Sequence, residues 1–326
     1  MMTEGLDVSI EVADERFRSL LTPGAVLERL WTGATWGEGP VYLPDGRLVW
    51  SDIPGNRLLV WQEGQEVREY LKPSHFQNGH VLDQQGRIVG CSHGERGIVR
   101  QEHDGSWKLL VSEYGGKRLN SPNDVVVAKD GAVWFTDPPY GLIQPHEGYG
   151  GTQEQPGQEV YRYDLGTGEL RVVVSGMVCP NGLAFSPDER VLYVGDTAGT
   201  HSGEGYWPEP HHHILAFDLV PGEAGNVEAV NERLFAEVSP GFPDGFRLDV
   251  HGNLWTSSGS GVQVYAPDGA RLGEIGVPEV IGNLTFGGPE GTTLYTVSRW
   301  ACAGPQLEGR LHRHRADGPS DGPQSV

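Results

Sequence analysis

The sequence has few cysteines, a shortage of basic residues and no long apolar run, and each shortage excludes a class of protein. Its three cysteines, Cys91, Cys179 and Cys302, are an odd number without metal-binding spacing, which predicts buried free thiols in a reducing compartment. No stretch is long and apolar enough to span a bilayer. The acidic amino-terminal segment lacks the apolar core of a signal peptide, so we expect a cytoplasmic protein without a membrane partner.

The charge balance also excludes negatively charged partners. Lys and Arg number 24 against 44 Asp and Glu, which gives a formal net charge of −20. Nucleic acid and anionic membrane surfaces repel such a protein, so we expect neither as a partner. Solubility accounts for most of this acidity, and part of it can serve a bound cation.

What the sequence contains instead is a repeated hairpin with many glycine-rich turns. Each of six stretches has an apolar-alternating strand, a turn carrying Asp or Gly, and a second strand. The repeats open at Glu38, Asn78, Asn123, Asn181, Asp244 and Gly282, at intervals of 40, 45, 58, 63 and 38 residues. Repeats of about 40 residues built from short strands are typical of propeller blades. We therefore predict an all-β protein, a six-bladed β-propeller.

A closed propeller needs a strand that joins its last blade to its first. The segment 25–33 precedes the first repeat and is predicted to be this closing strand, beside a third strand of the sixth blade at 310–314. Residues 1–24 are then an amino-terminal extension with a short helix, and residues 25–326 form a single domain. Two insertions, 138–157 and 197–212, fall between strands two and three of their blades, where long loops act as lids or as simple decoration.

In a closed ring, the openings of the repeats converge on the channel axis. Glu38, Asn123, Asn181 and Asp244 then offer two carboxylates and two amide oxygens, which suit Ca²⁺ and can also bind Mg²⁺, Mn²⁺ or Zn²⁺. Asn78 occupies the same repeat position and could complete the set. An Asn or Asp before Gly is ordinarily a turn residue, and a shared structural role at each blade start is the alternative explanation. The prediction is a metal site in the central channel.

Other polar residues give weaker indications. His93 follows the second strand of blade two and is predicted to contact substrate at the channel mouth. The run 211–213 is three histidines whose side chains alternate between the faces of a strand, so we predict packing rather than metal binding. No nucleophile elbow, Cys–His pair or phosphate loop is recognisable, which disfavours covalent catalysis by Ser or Cys.

Four ordered segments together resemble a known family. They are EGPVYLPDGRLVWSD, SPNDVVVAKDGAVWFTDPPYG, PNGLAFSPDERVLYVGDT and PDGFRLDVHGNLWTS. These segments resemble the gluconolactonase/SMP-30/luciferin-regenerating family, its bacterial gluconolactonases above all, and the resemblance covers about residues 29–314. It implies a six-bladed propeller with one divalent cation in its channel, and hydrolysis of a sugar lactone such as glucono-1,5-lactone to the aldonic acid.

The resemblance also implies roles for individual residues. By position, Glu38 and Asn181 are similar to the family's metal ligands, and Asp244 to the ligand that also serves as catalytic acid and base. Asn123 matches a residue that binds substrate or metal. Asp137 matches an extra metal contact of some branches of the family.

The chemistry of a cation beside a carboxylate is compatible with lactone hydrolysis, either with Asp244 as general base or by direct attack of its carboxylate. A phosphotriester hydrolase and a non-enzymatic ligand-binding propeller stapled by its cation are the alternatives. Asn78, His93 and Tyr140 at the mouth favour a hydroxylated lactone as the small-molecule partner. Some animal members place an Arg where this chain has Ser121, so their sugar specificity does not transfer. A monomer and a homodimer are both compatible with the sequence.

Overall fold

The computed structural model describes residues 4–6, 8–24, 26–200, 211–223 and 226–306. It confirms the six-bladed β-propeller: six antiparallel sheets follow one another along the chain. The first strand of each blade contacts the first strand of the next blade, and the first strand of blade six contacts that of blade one. The ring is therefore closed, and its innermost strands surround a common axis.

The first three blades each have four strands, ordered from the channel outward. Blade one consists of Gly37–Tyr42, Arg47–Asp52, Arg57–Gln62 and Arg68–Leu71. Blade two consists of Gln77–Leu82, Ile88–Ser92, Gly97–Gln101 and Trp107–Val111. Blade three consists of Val125–Val127, Val133–Thr136, Val160–Tyr163 and Leu170–Val174. A two-stranded ribbon, Glu113–Tyr114 with Lys117–Arg118, joins blades two and three.

The other three blades follow the same order, and the last two have five strands. Blade four consists of Pro180–Phe185, Val191–Asp196, His213–Pro221 and Val227–Glu237. Blade five consists of Phe246–Leu248, Leu254–Ser257, Gly261–Tyr265, Arg271–Gly276 and, outermost, Ser9–Val12. Blade six consists of Asn283–Gly287, Thr293–Val297, Trp300–Gln306, Leu27–Thr32 and, outermost, Glu4–Leu6.

The sixth blade differs from its prediction in one strand. Its third strand is Trp300–Gln306, because the chain reverses directly after Val297 and pairs antiparallel with Thr293–Val297. The segment 310–314, predicted for this position, lies outside the described residues. The strand Leu27–Thr32 pairs antiparallel with Trp300–Gln306, so residues from both ends of the repeat array share one sheet.

The amino-terminal residues pack against the ring rather than standing apart from it. Glu4–Leu6 and Ser9–Val12 add the outer strands of blades six and five, and Glu15–Leu20 forms a 3₁₀ helix. Phe17 of this helix is completely buried, with its ring centroid 6.2 Å from that of Trp255. The segment therefore covers blade five with apolar surface.

Aromatic side chains fill the spaces between the blades. Trp50, Trp134 and Trp255 lie on second strands and are at most 2% exposed. Trp134 meets Phe185 of the next blade with ring centroids 5.2 Å apart, edge to face. Truncation of such a residue to Ala typically costs about 3–5 kcal/mol, so these contacts account for much of the attachment of blade to blade.

Two further findings concern the helices and the cysteines. An α-helix, Tyr140–Ile143, lies in the first insertion. None of the helices in the described ranges has the length and hydropathy of a membrane span. The three cysteines are buried free thiols, as the sequence predicted.

Candidate metal centre

The openings of five repeats surround one cavity at a mouth of the channel. Its volume is about 170 Å³. Its walls come from first strands of the blades, from the loops beside them and from both insertions. The lining residues are Trp36, Glu38, Ile53, Asn78, Asn123, Tyr140, Glu147, Asn181, Thr200 and Asp244.

Glycines explain how these openings come so close together. The backbone N–H of Gly182, which follows Asn181, donates to the carbonyl oxygen of Asp244 at 2.8 Å. The N–H of Gly79, which follows Asn78, donates to the carbonyl oxygen of Asn123, also at 2.8 Å. A Cβ on either glycine would collide with the backbone of the neighbouring blade. The recurring Gly therefore serves contact between inner strands, and the polar side chain before it is left facing the cavity.

Glu38 is the most deeply buried acid of the cavity. Only 2% of the residue is exposed. Its Oε2 accepts hydrogen bonds from Gly39 N at 3.1 Å and Asn283 Nδ2 at 3.0 Å. Its Oε1 is buried with no hydrogen-bond partner among the residues that the structure describes. Burial, and next the charge of Asp244, raise the pKa of Glu38 well above its usual range.

Asp244 lies beside Glu38 but remains partly exposed to the cavity. Burial, and next the charge of Glu147, raise its pKa to about 7, against a lowering by a hydrogen bond with Asn181. Asn181 in turn donates from Nδ2 to Thr197 Oγ1 at 3.1 Å, which orients its amide. The cavity thus holds a carboxyl group that changes charge near neutral pH when no cation is present.

Asn123 and Asn78 supply amide groups from blades three and two. The backbone of Asn123 is fixed by its N–H, which donates to Thr136 O at 2.9 Å, and its side chain lines the cavity. Asn78 Nδ2 lies 3.3 Å from His93 Nε2. Tyr140 also lines the cavity, and its hydroxyl is hydrogen-bonded to Thr197 Oγ1 at 2.7 Å.

The structure places His93 behind the cavity wall rather than in the lining, which corrects its prediction as a substrate contact. It is 1% exposed, and burial lowers its pKa to about 4, so the ring is neutral. With its proton assigned to Nδ1, it donates to the carbonyl oxygen of Glu147 at 2.9 Å and accepts from Asn78 at Nε2. His93 therefore positions its neighbours, because both of its nitrogens are occupied.

Asp137 is also absent from the cavity, contrary to its prediction as an extra metal contact. It is completely buried, and its Oδ2 accepts from the backbone N–H of Asn120 at 2.8 Å. Asp52 and Asp196 end the second strands of their own blades and bind preceding backbone amides in the same way. The position is structural, since each aspartate ties the loop before the blade to the end of its second strand.

Asp196, His211 and His213 form a second group that could hold a metal, with one ligand atom from each within 4.8 Å of the others. His211 Nδ1 lies 3.2 Å from Asp196 Oδ2. The same carboxylate accepts backbone N–H groups from Val178, Cys179 and Ala198. Because Asp196 already has these structural partners, this group is a weaker candidate than the channel cavity.

Sequence reasoning missed Glu147. It belongs to the insertion 138–157, outside the repeats, so no repeat position marks it. Burial, and next the charge of Glu38, raise its pKa to about 7. The signal available in the sequence was one of two acidic residues, Glu147 and Glu154, within a loop of glycines and aromatics at the predicted mouth.

The donor set fits a hard divalent cation. Three carboxylates and three amides face the cavity, and no Lys, Arg or His is among the residues that line it. Ionised together, the carboxylates repel one another, and Glu38 Oε1 has no donor to satisfy it among the residues described. Carboxylate and amide oxygens are the ligands that Ca²⁺ and Mg²⁺ prefer.

The ring and this cavity define a class: a six-bladed propeller with carboxylate and amide side chains gathered at one mouth of its channel. Comparison with known proteins gives the family. The model of the SMP-30/gluconolactonase/LRE-like region matches residues 36–299, and the chain belongs to this family.

Individual relatives support the same placement. The chain is 33% identical over 297 residues to a gluconolactonase from Zymomonas mobilis, covering 86% of this chain and 81% of that protein. It is 27% identical to a pentonolactonase from Haloferax volcanii, covering 82% of both chains. The solved structure of a gluconolactonase from Xanthomonas campestris superposes with a TM-score of 0.84 at 39% identity, covering 94% of this chain and 97% of that one.

Proposed function

We propose that the protein is a metal-dependent lactonase that hydrolyses a sugar lactone such as glucono-1,5-lactone to its aldonic acid. The observation that carries the proposal is the pairing of a buried, unsatisfied Glu38 with a partly exposed Asp244 in a cavity without basic residues in its described lining. Relatives named gluconolactonase and pentonolactonase support the substrate class.

The residues of the cavity have two proposed roles, binding a cation and transferring a proton. Glu38, Asn123, Asn181 and Asp244 would hold one divalent cation, with Ca²⁺ as the first choice and Zn²⁺, Mg²⁺ or Mn²⁺ as alternatives. Such a cation, when bound, polarises the lactone carbonyl and stabilises the negative charge that develops on its oxygen. Glu38 is buried, so its proposed role is limited to holding the cation. Asp244 is partly exposed to the cavity and can reach substrate.

Asp244 is the proposed general base and acid. Its carboxylate takes a proton from the water whose oxygen attacks the lactone carbonyl carbon. The bond from that carbon to the ring oxygen then breaks, and Asp244 returns the proton to the ring oxygen, which leaves as a hydroxyl group. A neighbouring cation lowers the pKa of Asp244 and keeps it ionised at neutral pH.

The deciding experiment is hydrolysis of glucono-1,5-lactone, with spontaneous hydrolysis subtracted, before and after treatment with EDTA and after return of Ca²⁺. The proposal expects loss of activity with EDTA and its recovery with the cation. Activity unchanged by exhaustive chelation would refute metal dependence. Hydrolysis of a phosphotriester but not of the lactone would favour the alternative hydrolase, and no hydrolysis of either would favour a binding propeller.

A further inference from the structure

Glu147 enters the cavity from the insertion, whereas the other two carboxylates belong to the ring. Its side chain keeps 20% of its surface exposed, and its carboxylate lines the same cavity as Glu38 and Asp244. Within the described ranges, that carboxylate makes no hydrogen bond, and its one ion pair is with the exposed His146 at 3.8 Å. An acceptor in this position is available to a ligand.

The backbone around Glu147 is fixed on both sides. Ser121 Oγ donates to Pro138 O at 2.6 Å and accepts from Gly141 N at 2.9 Å, which secures the start of the insertion. His93 Nδ1 donates to the carbonyl oxygen of Glu147 itself. Gly148 lies so close to the backbone of Gly141 that no side chain would fit there. The backbone that carries the Glu147 carboxylate is therefore held in place by buried polar contacts from blades two and three.

The three acids of the cavity differ in what they can do. Glu38 is engaged by Asn283 and Gly39, and Asp244 lies beside it at the proposed reaction centre. Glu147 is the acid that reaches the cavity from the insertion 138–157. A carboxylate accepts hydrogen bonds with both oxygens, which suits the adjacent hydroxyl groups of a sugar ring.

We infer that Glu147 is a specificity-determining residue that accepts hydrogen bonds from the hydroxyl groups of a polyhydroxylated lactone. This inference rests on the proposed lactonase function. It explains why an insertion that takes no part in the ring is anchored so firmly over the cavity. It also assigns His93 and Ser121 as positioning residues, since they hold the loop that carries Glu147.

The test compares glucono-1,5-lactone with δ-valerolactone, which has the same ring but no hydroxyl groups. Wild type, Glu147→Ala and Glu147→Gln are measured in saturating Ca²⁺, and His146→Gln serves as the matched control on the same loop. For Glu147→Ala we expect kcat/KM on the hydroxylated lactone to fall about 10- to 100-fold, mainly through KM, because hydrogen bonds to a charged group are lost. On δ-valerolactone the change should stay within about threefold, and Gln should be intermediate because an amide keeps one acceptor oxygen.

Calcium affinity, measured by titration calorimetry, separates this role from cation binding. An unchanged Kd in Glu147→Ala, together with the selective loss of the hydroxylated substrate, supports the inference. A weakened Kd with equal loss on both lactones would make Glu147 a metal ligand, and unchanged kinetics on both would leave it no role; either result overturns the inference. A wild type that hydrolyses neither lactone would refute the proposed function and this inference with it.

Discussion

Replacement of Glu38 by Gln should stabilise the cation-free protein at alkaline pH. Burial and the charge of Asp244 raise the pKa of Glu38 well above its usual value of 4.5. The folded chain therefore binds a proton at this site more tightly than the unfolded chain, and the free energy of unfolding falls as pH rises above about 4.5. Gln carries no charge, and its amide oxygen can still accept from Gly39 N and Asn283 Nδ2.

The size of the expected change in the free energy of unfolding follows from Glu38 Oε1, which has no donor among the described residues. A buried acceptor without a donor typically costs about 1–3 kcal/mol, and Glu38 Oε1 is such an acceptor. In Glu38→Gln an amide N–H₂ takes its place and can donate to the neighbouring Asp244 carboxylate, so we expect an advantage of about this size at pH 8 without cation. Cation binding acts in the opposite direction. At a free Ca²⁺ concentration of ~100 times Kd, wild type gains about 2.7 kcal/mol, whereas a variant that binds tenfold more weakly gains about 1.4 kcal/mol.

The assay is urea unfolding followed by circular dichroism, at pH 8 and pH 5, in EDTA and in Ca²⁺. Glu169→Gln is the control, because Glu169 is an exposed acid on an outer strand connection. We expect the advantage of Glu38→Gln in EDTA to be largest at pH 8, to shrink toward pH 5, and to diminish in Ca²⁺. A variant less stable than wild type at pH 8 in EDTA would refute the cost assigned to the buried Glu38 charge. An undiminished gain from Ca²⁺ would refute the placement of the cation beside Glu38.

Two further predictions concern the same cation. Asp244→Asn should lower kcat by about 10²–10⁴-fold while weakening Ca²⁺ binding less, because an amide offers a ligand oxygen but cannot take a proton; activity within tenfold of wild type would contradict its role. His211→Ala should leave the rise in unfolding temperature caused by Ca²⁺ intact, whereas loss of that rise in a thermal melt would place the cation at the group formed by Asp196, His211 and His213.

The repeats allowed the fold to be predicted because each blade is specified locally. A strand with alternating apolar residues, a tight turn and a second strand have the same pattern wherever they occur. Ring closure then brings equivalent positions together, which is how Glu38, Asn123, Asn181 and Asp244 could be grouped from their places in the repeat. They share one cavity because each occupies the equivalent position at the opening of its repeat.

The features that could not be predicted depend on contacts between segments far apart in the chain. Glu147 lines the cavity on a loop whose backbone is hydrogen-bonded by His93 and Ser121. Asp137 looks like a ligand in sequence, yet its carboxylate binds the backbone of Asn120. The outermost strands of blades six and five are Glu4–Leu6 and Ser9–Val12, and these short segments lie outside the repeats, so no repeat position specifies their partners.

The shared sheet of blade six has a consequence for how the protein is made. Leu27–Thr32 is synthesised early but pairs with Trp300–Gln306, which leaves the ribosome more than 260 residues later. Until then, the inner edge of Leu27–Thr32, which faces the rest of blade six, has no partner strand, and the ring cannot close. Exposed strand edges are sites of wrong pairing, so the nascent chain is most vulnerable to association with other copies during this interval. A propeller closed in this way has a ring without a gap in its native state, but the inner edge of Leu27–Thr32 stays unpaired for most of synthesis.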